Sequence, residues 1–126
     1  MNKPLAFAAL AEAATGVALI VAPSLVTQLL LGTYPSGVAV GVGRVAGISL
    51  LSLGIACWPG KGPIRSALGG MATYGLLVTI YLSYLGIRGE WVGPFLWPAV
   101  ALHAVLSLLL TRAWFCARNA VENSRP

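Results

Sequence analysis

Aspartate does not occur in this chain, histidine occurs once, cysteine twice, and only 9% of the residues are charged. Eight basic and three acidic side chains cannot coat a soluble domain of this length, since an average soluble chain is about 25% charged. The other shortages exclude chemistry. A structural zinc wants four ligands, which two cysteines without neighbouring histidine or carboxylate do not supply, and one histidine cannot ligate a haem from both sides within one chain. No GxSxG, P-loop, HExxH or GxGxxG at a strand-to-helix turn is present. Cys57 and Cys116 fall at helix ends on the side expected to face reducing conditions, and are read as thiols, not a disulfide. No catalytic or metal-binding residue is assigned, and an enzyme is not the expected class.

What the chain has is apolar length. It is 58% hydrophobic with a mean hydropathy of +0.86, and four runs, at about 4–22, 37–58, 66–87 and 94–115, approach the roughly 20 residues that cross 30 Å of hydrocarbon. The expected fold is all-α: a single transmembrane domain over 1–126, built as an integral membrane four-helix up-and-down bundle. The first run has only Lys3 before it and Glu12 inside it, so it reads as a mature helix, not a cleaved signal peptide. Pro23 stops that helix. The apolar segment at about 24–31 is too short to span and is expected to form an interfacial helix ending at Gly32. Trp58 to Pro63 and Gly86 to Pro94 carry the turn chemistry of two tight connections, and 116–126 is expected to be a tail.

Basic residues give the orientation, because cytoplasmic loops are enriched in them. Lys3, Lys61, Arg65, Arg112, Arg118 and Arg125 fall on one side of a four-span topology, and Arg88 alone on the other. Both termini are therefore expected in the cytoplasm, with the chain in a plasma membrane of the bacterial inner-membrane type. The net charge of +5 follows from that topology, and no nucleic acid is expected as a partner. Tyr34, Trp58, Trp91, Phe95, Trp97, Trp114 and Phe115 sit at the expected interfaces as anchors.

The informative residues are the polar ones inside the spans. Glu12, Arg44 and His103 are the side chains of Asp, Glu, Lys, Arg or His type at depth; each costs energy there, about 2.5–3.5 kcal/mol for an isolated arginine or acidic residue at a helix centre. Counting about 1.5 Å per residue puts Glu12 and Arg44 only about 8 Å apart along the membrane normal. An ion pair between them is expected, with small residues (Ala8 and Gly16; Ala39, Gly43 and Gly47) letting the helices approach. Tyr74, Thr79 and Tyr81 on the third span and His103 on the fourth complete an expected mid-membrane polar layer, with Ser107 on the same stripe as His103. Such a layer can hold a hydrophobic ligand such as quinone or lipid, can serve proton-coupled transport, or can simply fix helix register. The loops are too short for an extramembrane site. The glycine-rich second span also allows a homo-oligomer or a place in a larger membrane complex.

Two resemblances add to this. The proline and short apolar segment ending in Leu-Leu-Leu-Gly (Pro23 to Gly32), Arg44-Val-Ala-Gly47 opening Leu50 to Gly54, and His103 in the last span together resemble the DoxX-like group of small four-helix membrane proteins. One branch of that group is associated with quinone-linked thiosulfate oxidation, which implies a hydrophobic redox ligand; this chain has no cysteine on the outer face for sulfur chemistry. Locally, Ala8 to Glu12 resembles the first helix of small multidrug-resistance transporters. There the membrane glutamate exchanges protons for drugs, which implies a small proton-coupled transporter using Glu12.

Overall fold

The computed structural model describes residues 2–60 and 63–126. Lys61 and Gly62, part of the expected connection between the second and third spans, lie outside them. The described residues form five helices: α1 (Lys3–Val21), α2 (Pro23–Leu31), α3 (Val38–Ala56), α4 (Ile64–Arg88) and α5 (Leu96–Asn123). All but α2 are long and apolar enough to cross a membrane.

Local chemistry sets the ends. Asn2 caps α1, its Oδ1 accepting from the Leu5 N–H at 3.1 Å, and Pro4 stands in the first turn, where a missing N–H costs nothing. Gly32 and Gly89 adopt left-handed conformations, φ 72° and 73°, and terminate α2 and α4. The orphan carbonyls at the end of α2 are taken by the connection into α5: Gly93 N–H donates to Leu30 O at 3.0 Å and Phe95 N–H to Leu29 O at 2.9 Å. Leu30 and Leu31 then pack on Leu82, Leu85 and Leu96, so α2 closes one end of the α4–α5 pair.

One boundary departs from expectation. The last helix does not end near 115: α5 continues through most of the expected tail, to Asn123. No glycine or proline interrupts the chain after Pro98 until the C-terminal residue, and Ala113, Trp114 and Ala117 pack against Leu68, Met71 and Leu110.

The helices associate in two tight antiparallel pairs, α1 with α3 and α4 with α5; α1 touches α4 and α5 far more sparsely. In the first pair, backbone meets backbone. A Cβ on Gly47 would lie 2.6 Å from the Gly16 carbonyl oxygen, and one on Gly54 would lie 2.5 Å from that of Ala9. A seam this close leaves no slack between α1 and α3. The thinner contact between the pairs is where the polar residues collect.

Candidate functional site

Glu12 is buried at 5% exposure. The seam with α3 runs through Ala9, Ala13 and Gly16, while Glu12 turns toward α4 and α5. There it meets His103 of α5, whose Nδ1 is 3.7 Å from Glu12 Oε1. That separation is within ion-pair range and too long for a direct hydrogen bond. Tyr74 of α4 lies beside the same pair, and its ring stands edge-on to the His103 ring, centroids 6.1 Å apart.

A cavity of about 10 Å³ lies among these groups, lined also by Met71, Gly75 and Ser107. That is room for about one water molecule. Ser107, one helical turn beyond His103, is 6% exposed, and its Oγ is the buried side-chain polar atom that finds no hydrogen-bond partner among the described residues. Gly75 makes its place: a Cβ there would sit 2.5 Å from Ser107 Oγ. Four groups able to give or take a proton thus surround one small space, with apolar helix above and below.

Glu12 and His103 can hold a single proton between them with zero net charge, whether as carboxylate and imidazolium or as carboxylic acid and imidazole. An apolar interior tolerates both forms better than any single charge. The two are a coupled pair, and a proton arriving or leaving changes the charge of the pair as a whole.

The expected ion pair between Glu12 and Arg44 is not formed among the described residues, and Arg44 is exposed. The register explains part of this. Ala9 lies against Gly54 and Gly16 against Gly47 and Leu51, so Glu12 is level with the turn at 51–54, about two helical turns from Arg44. Helical phase explains the rest. Leu53, which packs on the core shared with α4 and α5, is nine residues after Arg44 and so about 180° around the helix. Arg44 therefore faces away from the polar cluster. Two further residues of the expected layer also stand apart. Tyr81 is 58% exposed, and the Thr79 hydroxyl donates to the Gly75 carbonyl of its own helix at 2.7 Å. The sequence does not single out Ser107 for the site; its one signal is the four-residue step from His103, which puts both on one face of α5.

Cys57 is buried and Cys116 exposed, both as free thiols. Among the described residues no three His, Cys, Asp or Glu side chains gather where a metal ion could be held. No family model, curated protein or solved structure matches this chain.

Proposed function

We propose that this chain is a small proton-coupled membrane transporter in which Glu12 and His103 carry the coupling proton. The observation that supports the reading is a buried carboxylate 3.7 Å from a histidine, with no fixed cation paired to it among the described residues. Had Arg44 been its partner, Glu12 would be locked as a carboxylate and of little use for exchange. The helix contacts supply a mechanical counterpart. Two stiff pairs meet along one sparse interface, and the titrating groups lie in that interface. Protonation changes the charge buried between the pairs, which biases how closely they meet.

In this reading the four long helices form an up-and-down bundle of the DoxX-like kind, with α2 in the interface and both termini in the cytoplasm of a bacterial inner membrane. Six basic residues on one side against one on the other support that orientation. A second reading, a bundle holding quinone or lipid at the polar layer, takes support from the Tyr74 and His103 rings set edge-on. A space of about 10 Å³ admits no quinone ring, so that reading requires α1 to part from α4 and α5 first.

The test is proton flux into liposomes containing the purified protein and an entrapped pH dye, driven by an imposed pH gradient. Wild-type vesicles are expected to equilibrate faster than empty ones. Glu12→Gln should remove the difference, and His103→Gln should slow exchange at least tenfold. Equal flux from wild-type and Glu12→Gln vesicles, both faster than empty ones, would overturn the assignment of Glu12.

A further inference from the structure

Arg44 takes no part in the polar cluster, and its surroundings indicate another role. An arginine keeps its charge in proteins and offers five N–H donors, and no ion pair engages it among the described residues. It lies six residues into α3, about 9 Å below the helix start. Side chains on a helix lean toward its N-terminus, and in that direction the same stripe carries Gly41 and Gly37, whose Cβ positions have nothing within 4 Å. The guanidinium can therefore extend over bare backbone toward the nearer membrane surface.

In the other direction the stripe continues as Ile48, Leu51 and Ile55. Ile55 is eleven residues from Arg44, within about 20° around the helix and about 16 Å along it. Ile48 and Ile55 are each 55% exposed. Ile55 forms one wall of an open apolar groove of about 300 Å³ between α1 and α3, with Ala9, Leu10, Ala13, Gly54 and Trp58. Small residues on both helices make the groove, and Trp58 lines it with them. One flank of the α1–α3 pair thus presents a cation at one end and an apolar groove at the other.

We infer that this flank binds a phospholipid, its phosphodiester held by Arg44 and one acyl chain laid along Ile48 and Ile55 into the groove. The charge selects the occupant. A guanidinium binds phosphate oxygens bidentately, and one facing hydrocarbon needs such a partner. A second copy of this chain docked symmetrically would bring a second Arg44 toward the first, an unfavourable match. This site lies away from Glu12 and does not depend on the transport reading.

Native mass spectrometry of delipidated protein, titrated with dioleoyl phosphatidylglycerol and separately with dioleoylglycerol, provides the test. Wild-type protein should retain the phospholipid more tightly than the neutral lipid. Arg44→Gln should weaken phospholipid binding about tenfold, as expected for losing hydrogen bonds to a charged group, and leave the neutral lipid unchanged. Ile55→Trp, which fills the groove from an exposed position, should weaken both. Circular dichroism confirms that each variant is folded. Phospholipid affinity unchanged in Arg44→Gln would overturn the proposal. So would an Arg44→Gln variant that converts a wild-type dimer to monomer with lipid binding intact, since the occupant would then be a second chain.

Discussion

Replacing His103 with leucine should destabilise the protein by about 2–4 kcal/mol, and replacing Glu12 with leucine in the same chain should recover most of that loss. Removing one partner of a buried ionisable pair strands the other, which is typically the expensive event, whereas exchanging both for apolar groups is often neutral. Here the carboxyl group would keep Tyr74 as its neighbour but lose the base 3.7 Å away. The measurement is reversible unfolding in mixed detergent micelles, followed by far-ultraviolet circular dichroism, for the two single variants and the double. Arg44→Leu is the control. With Arg44 two turns away and facing outward, Arg44→Leu and Glu12→Gln should combine additively to within about 0.5 kcal/mol. Additivity between Glu12 and His103, or strong coupling between Glu12 and Arg44, would contradict the arrangement described above.

That contrast marks what the sequence carries and what it does not. Hydropathy and turn residues place every long-helix end within two residues except the end of α5, and Pro23 and Gly32 bracket the short helix. Glu12 and His103 stand out because ionisable groups in apolar runs are expensive. Their pairing is harder to read, because counting residues gives depth and leaves rotation free. Arg44 lies about two turns from the level of Glu12 and half a turn around the helix from Leu53, so both register and phase keep the two apart. Tyr81 failed for the same reason, as a polar residue on a helix whose buried face runs through Leu68, Met71, Gly75, Leu82 and Leu85. The apolar run stops near Arg112 while α5 continues to Asn123, because a boundary in hydropathy need not end a helix. Ser107 does not stand out in the sequence, because a serine inside a span ordinarily satisfies itself on its own backbone, as Ser49 and Ser52 do. Only three-dimensional packing reveals that this one does not.

The second large effect is expected at the α1–α3 seam. Gly47→Ala and Gly54→Ala should each cost about 1–3 kcal/mol, the usual penalty of overpacking, because the added methyl meets a backbone carbonyl oxygen at 2.6 Å and 2.5 Å. Backbone cannot rotate aside as a side chain can, so the helices must separate along their length. Leucine at either position should prevent the native pair from forming. Gly41→Ala is the comparison on the same helix: its Cβ has nothing within 4 Å among the described residues, and removing a glycine from the first turn of α3 should leave stability unchanged or raise it by up to about 1 kcal/mol. Unfolding midpoints in detergent would separate the three. The seam also bears on the proposed transport, which would have each pair move as a unit. Gly54→Ala should therefore reduce proton flux in step with the loss of folded protein at the assay temperature, whereas a folded Gly54→Ala variant with a loosened seam and full flux would show that α1 moves without α3.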